Sequence, residues 1–193
     1  MSGANMDPLS NALREITAAL CRVGIRYAIG GSLASSARSV WRTTNDVDLV
    51  AAIAPAQAEA FVQALGKDWY ADLDQIRESL AAGRAFNVIH MRNVEKVDVF
   101  PARNAFHRTQ LDRATALPLG EDRVPCLVAT AEDILLAKLQ WYRDGGEVSD
   151  RQWNDITGII AVNPNLDWDY TNAWATRLGV TDLLERARAA ARS

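Results

Sequence analysis

Apolar residues recur at helical spacing at Leu9, Leu13, Ile16, Leu20 and Val23, which predicts an amphipathic first helix ended by Gly24. Residues 25–29 follow as a short apolar strand that breaks at Gly30 and Gly31, and Ser32 can cap a helix running through residue 40. Residues 46–53 alternate as a second strand. Pro55 suits the first turn of a helix carrying Ala58, Phe61, Val62 and Leu65, and a further helix spans residues 72–82 before Gly83. Residues 86–91 and 96–100 are β-rich runs at hairpin-like spacing. A short helix with polar connections is predicted within residues 102–116, and another strand at 124–128.

Beyond that strand the pattern turns helical. Thr130 with Asp133 caps a helix through residue 143, and Ser149 with Gln152 opens the next, which carries Trp153, Ile156, Ile159 and Ile160 toward a core. Helices at 168–178 and 182–191 complete the chain. The fold class is therefore α/β, of α+β type: an α/β part over residues 1–129 and a helical region over 130–193 packed on it as one compact unit.

Chemistry concentrates between residues 27 and 53. On an extended strand side chains alternate, so Asp46 and Asp48 share one face while Val47 and Leu49 point the other way. Two adjacent carboxylates repel and call for a cation, and hard oxygen ligands on a rigid strand suit Mg²⁺. The glycines of the preceding turn allow close approach of a phosphate, and the free N–H groups of a helix start form an anion site. Further on, Asp98 is bracketed by Val97 and Val99 in the same alternating manner.

Gly30-Gly31-Ser32, thirteen intervening residues and Asp46-Val47-Asp48-Leu49 resemble the signature of the nucleotidyltransferase superfamily, the DNA polymerase beta-like fold. The resemblance implies a mixed sheet flanked by helices with a C-terminal helical region. It implies an NTP substrate, two Mg²⁺ ions held by Asp46, Asp48 and Asp98, and phosphates held by Gly30, Gly31 and Ser32. Asp98 takes the place of the superfamily's third catalytic carboxylate, on a strand close to the Asp-x-Asp strand. Residues 131–160 are similar to the helical segment of bacterial toxin-like nucleotidyltransferases of abortive-infection systems, with Lys138 and Asp155 at the matching positions. Lys138 either snorkels out or reaches inward to a triphosphate. Arg151 and Asp155, four apart, fit a surface ion pair worth only about 0.3–0.5 kcal/mol. By position, Arg42 and Lys138 are candidates to balance phosphate charge.

The implied reaction moves an NMP to a hydroxyl on a tRNA end, a protein or a small molecule, with a cognate toxin or antitoxin as a further partner. The alternative is a non-catalytic nucleotide- or partner-binding protein of the same fold, against which three intact carboxylates argue. A purely structural helical module leaves the Gly-Gly-Ser and Asp-Val-Asp pairing unexplained.

Composition narrows this only a little. The 193 residues are 49% hydrophobic with net charge −3, and Arg outnumbers Lys eighteen to three without a basic run, so no broad nucleic-acid footprint is advertised. Cys21 and Cys126 lie in apolar contexts without metal-type spacing, which reads as buried thiols of a reducing compartment. With neither a signal pattern nor a membrane-length apolar run, the expectation is a soluble cytoplasmic protein. His90 and His107 are isolated and read as satisfied core residues; Trp141, Trp153 and Trp174 read as packing, as does Trp41 beside the site. Neither a Gly-x-x-x-x-Gly-Lys loop nor a nucleophile elbow occurs.

Overall fold

The computed structural model describes residues 7–38, 46–92 and 94–191, leaving aside the side chains of residues 36–38 and of Asp46. Helix α1 (Pro8–Arg22) starts where the Asp7 carboxylate accepts from the Ser10 N–H and where Pro8 needs no donor partner. It buries Leu13, Ile16 and Leu20. Strand β1 (Tyr27–Ile29) leads directly into α2 (Gly31–Arg38), and β2 (Asp46–Ala51) returns antiparallel to β1. A 3₁₀ turn at Pro55–Gln57, α3 (Ala58–Leu65), β3 (Trp69–Tyr70) and α4 (Leu73–Ala82) carry the chain to β4 (Phe86–His90). Then follow β5 (Glu95–Pro101), α5 (Ala105–Arg113), β6 (Thr115–Leu119) and β7 (Val124–Val128).

These strands form one seven-stranded mixed sheet in the order β3-β4-β5-β2-β1-β7-β6. The pairs β2–β5 and β1–β7 are parallel and the others antiparallel. One face of the central pair carries Val47, Leu49, Val97 and Val99, all fully buried, and α1 packs on that side against β5 and β7. The opposite face carries Asp48, Val50, Asp98 and Phe100, each only partly covered. Burying one face while leaving the other accessible is what the period-two alternation around Asp48 and Asp98 dictates.

The chain ends in α6 (Ala131–Asp144), α7 (Asp150–Val162), α8 (Trp168–Leu178) and α9 (Thr181–Ala190). Thr130 and Ser149 cap α6 and α7 through the N–H groups of Asp133 and Gln152, as their spacing predicts. Leu135, Leu139, Ile156 and Ile159 join the same contiguous core as Ile29 and Leu49. A polar cluster fastens α5, α6 and α8: buried Asp133 accepts from the Tyr170 hydroxyl and from Thr130, and Arg113 stacks 3.8 Å from the Tyr170 ring centre. Burial pushes the Asp133 carboxyl above its ordinary range, while the hydrogen bond from Tyr170 opposes that rise.

Several expectations are corrected. Ser32 lies inside the first turn of α2 rather than ahead of it, since the helix begins at Gly31. Strands β3 and β6 are additions; β3 is two residues long, and β6 contains Pro118, tolerated because this strand is the edge of the sheet. His90 is buried, yet among the described residues neither ring nitrogen has a hydrogen bond of good geometry, a Glu15 oxygen lying 3.3 Å from Nε2. Among the described residues no helix is long and apolar enough to cross a membrane.

The two thiols differ. Cys126 is buried on β7, and desolvation pushes it up to about 11, whereas Cys21 is exposed near the end of α1, contrary to its expected burial. At neutral pH a disulfide-exchange reagent is therefore expected to titrate one thiol in the native protein and both after unfolding. Rapid reaction of two native thiols contradicts this packing of β7.

Candidate functional site

The site grows from the end of β1. The Gly30 N–H donates to the Asp48 carbonyl at 2.8 Å, which closes the β1–β2 ladder, and the Gly30 carbonyl accepts from the Ala34 N–H at 3.2 Å, which opens α2. One residue thus ends a strand and starts a helix. Gly31 follows with φ +59°, a conformation that side-chain-bearing residues rarely adopt, and it lies directly against the Asp48 carboxylate. A Cβ on Gly31 would overlap Asp48 Oδ2 and lie 2.5 Å from Cγ. The first turn of α2 and the carboxylate of β2 are consequently nearest neighbours.

Strand β5 adds the next group. In the parallel β2–β5 ladder Asp48 is the register partner of Asp98, and Asp46 of Lys96. On its other side Asp98 faces Asn87 of β4. Lys96 Nζ contacts Asp98 Oδ2 at 2.7 Å, with about a fifth of the Asp98 side chain exposed (22%). Lys96 is two residues before Asp98, so the alternation that singles out Asp98 also places Lys96 on the same face; the sequence carried that signal and the reading above passed over it.

Helices α6 and α7 pack against α2. Lys138 is 5% exposed and its ammonium meets Asp155 Oδ2 at 2.9 Å, linking the two helices. Lys138 therefore turns inward, and Asp155 is bound to it from the neighbouring helix. A cavity of about 300 Å³ opens here, lined by Ser32, Lys138, Trp141, Ser149, Arg151 and Asp155, with Gln152 at its wall. It joins the start of α2 to two cationic side chains and an indole. Trp141, read from sequence as packing, is half-buried and packs 5.6 Å from Phe100. It lines both this cavity and a smaller one of about 50 Å³ that reaches Gly30, Gly31 and Asp48.

The smaller cavity is also lined by His107 and Gln110 of α5. Gln110 Oε1 and His107 Nδ1 are buried with no hydrogen-bond partner among the described residues. Burial holds the His107 imidazole below its ordinary value, with the Pro101 carbonyl opposing, so at neutral pH the ring presents an uncharged wall. Isolation in sequence gave no sign that this histidine borders the site.

The structure thus brings together Gly30, Gly31, Ser32, Asp48 and Asp98 where the central strands β1, β2 and β5 meet the start of α2, with Lys138 lining the larger cavity beside Ser32. Arg42 and Trp41 lie outside the described residues, as does the side chain of Asp46. Among the described residues no group of three or more His, Cys, Asp or Glu side chains is arranged to hold a metal ion. Asp48 and Asp98 are the described carboxylates paired on the central strands β2 and β5.

The Lys138–Asp155 pair is buried enough to matter for stability. Replacing Asp155 by Leu leaves an ammonium inside the protein without its counter-charge, for an expected loss of about 3 kcal/mol. The double replacement Lys138→Met with Asp155→Leu removes both charges and is expected to recover most of it, as measured by urea unfolding in a double-mutant cycle. Simple additivity of the two single losses would contradict a direct pair.

Two solved structures resemble this architecture. A crystal structure of a protein named ANT(2'')-Ia in complex with adenylyl-2''-tobramycin aligns with a TM-score of 0.50 at 15% identity, over 88% of this chain and 95% of that one. The crystal structure of an antigenic nucleotidyltransferase-like protein from Paracoccidioides brasiliensis aligns with a TM-score of 0.51 at 21% identity, over 94% and 92%. The fold of this chain is that of the nucleotidyltransferases. No family model and no curated protein sequence matches the chain.

Proposed function

We propose that this protein is a nucleotidyltransferase that moves an NMP from an NTP to a hydroxyl acceptor and releases pyrophosphate. The observation that carries the reading is the contact between Gly31 and the Asp48 carboxylate, with Asp98 at the neighbouring register position. It sets helix-start N–H groups, which bind phosphate, against carboxylates, which bind cations. The fold shared with nucleotidyltransferases supports it.

In this reading the first turn of α2, with Ser32 and the Gly30 and Gly31 backbone, holds the β- and γ-phosphates. Lys138 and Arg151 offset their charge from the facing side of the larger cavity. Arg42 contributes to the same balance. Trp141, positioned between the two cavities, offers a face for the nucleobase. The acceptor oxygen forms a bond to the α-phosphorus as the bond to the pyrophosphate oxygen breaks, and Asp98 receives the hydroxyl proton.

Hard carboxylate oxygens on a rigid strand fit Mg²⁺, and Asp46, Asp48 and Asp98 are the residues that would hold it. Bound there, Mg²⁺ supplies charge neutralisation for the attacking and leaving oxygens. Lys138 and Asp155, the two positions shared with abortive-infection-type enzymes, meet across α6 and α7, which supports that subtype and with it a cognate toxin or antitoxin partner. The acceptor is then a tRNA end, a protein or a small molecule.

The test is incubation with Mg²⁺ and each NTP labelled at the α-phosphate, with total tRNA or cell lysate as acceptor source. Label is expected on one acceptor class with wild type and on none with Asp48→Asn. Nucleotide binding without any NTP consumption would replace this reading with that of a binding protein.

A further inference from the structure

The alternation that places Asp98 on the open face of β5 also places a lysine against that carboxylate. Lys96 Nζ lies 2.7 Å from Asp98 Oδ2, and Lys96 is the register partner of Asp46 just as Asp98 is of Asp48. A lysine on this face is not needed for packing: its side chain is 43% exposed and the core lies on the other side of the strand. What it supplies is a positive charge against the carboxylate that a second divalent ion would need.

We propose that Lys96 is the internal counter-cation of this site. Its ammonium occupies Asp98, so that without nucleotide the protein takes a single divalent ion through Asp46 and Asp48. A second ion reaches Asp98 only when an anionic ligand draws the ammonium away. The inference rests on the carboxylates being the metal ligands of the proposed nucleotidyltransferase. Its physical basis is electrostatic competition: an ion approaching Asp98 meets a carboxylate whose Oδ2 is already held by an ammonium, and that ammonium repels the ion until it leaves. A triphosphate lowers that barrier by giving the ammonium another partner, which makes the second metal conditional on substrate. The lysine thus acts as a positioning residue that sets the order of binding; it takes no proton in the reaction.

The test uses the full-length protein with Mn²⁺ as the probe, following stoichiometry and affinity by calorimetry and by the free-Mn²⁺ spin-resonance signal, with no nucleotide present. Wild type is expected to bind one ion. Lys96→Met is expected to bind a second, or to bind Mn²⁺ about tenfold more tightly or better, because a like charge has been removed from beside the ligands. Lys96→Arg, which keeps the charge, is expected to follow wild type, and thermal melting checks that each variant is folded. Isotherms of wild type and Lys96→Met that coincide, or weaker binding by the variant, overturn the proposal while leaving the metal site in place. If Asp48→Asn also leaves Mn²⁺ binding unchanged, or no variant binds Mn²⁺, the carboxylates are not the ligands, and the proposed function's metal assignment fails with it.

Discussion

Gly31→Ala is expected to abolish nucleotidyl transfer while leaving the sheet assembled. The added methyl group meets the Asp48 carboxylate, with its Cγ at 2.5 Å and its Cβ at 2.7 Å, neither of which lies at the end of a long flexible chain. Asp48 is on a central strand between β1 and β5 and cannot retreat without breaking ladder contacts on both sides. The backbone adds a second cost, since φ at Gly31 is +59° and a left-handed L-residue loses about 1–2 kcal/mol. Either α2 shifts outward or the carboxylate rotates away, and both separate the turn proposed to hold phosphate from the carboxylates proposed to hold the metal. A displacement of about 1 Å at a reacting centre costs on the order of 10²-fold in rate. The expected result is a folded protein, by circular dichroism, whose turnover is at least that much lower. A Gly31→Ala variant with wild-type turnover would show that the Gly31–Asp48 contact is not part of the site. Gly30, whose added Cβ meets nothing within 4 Å among the described residues, is the control: Gly30→Ala is expected to do much less harm.

The contrast between the two glycines shows what the sequence conveyed and what it did not. Gly-Gly-Ser announced a strand-to-helix turn, and alternation set Asp48 opposite Val47 and Leu49 and Asp98 opposite Val97 and Val99; both appear in the structure because period-two geometry leaves a half-buried strand little choice. Which glycine carries the constraint was not visible, since that depends on contact with a strand fifteen residues further on. Lys96 was legible by the same alternation and was missed through attention to carboxylates alone. His107, Gln110 and Trp141 were not legible, because helices α5 and α6 reach the central strands by tertiary packing that no local pattern specifies. The Lys138–Asp155 pair shows the limit of reading along one helix: Asp155 was paired in sequence with Arg151 four residues away, whereas a buried ammonium from α6 is its partner. Short or proline-bearing edge strands such as β3 and β6 lacked a period to detect.

The most direct measurement compares transfer from NTP labelled at the α-phosphate with transfer from NTP labelled at the γ-phosphate, using wild type and Asp48→Asn side by side. Asp48 stands at the junction of the α2 turn and the β2–β5 pair, so its neutralisation removes charge from the place where the proposed function puts both phosphates and cations. The asparagine keeps the shape of the side chain and its fit against Gly31, which separates loss of charge from loss of structure. Removal of one preorganised electrostatic group costs about 10²–10³-fold in turnover. The predicted result is α-label on the acceptor, γ-label only in released pyrophosphate, and a loss of at least that size in Asp48→Asn. Transfer of the γ-label to the acceptor, or undiminished transfer of the α-label by Asp48→Asn, would contradict a nucleotidyltransferase built on this carboxylate.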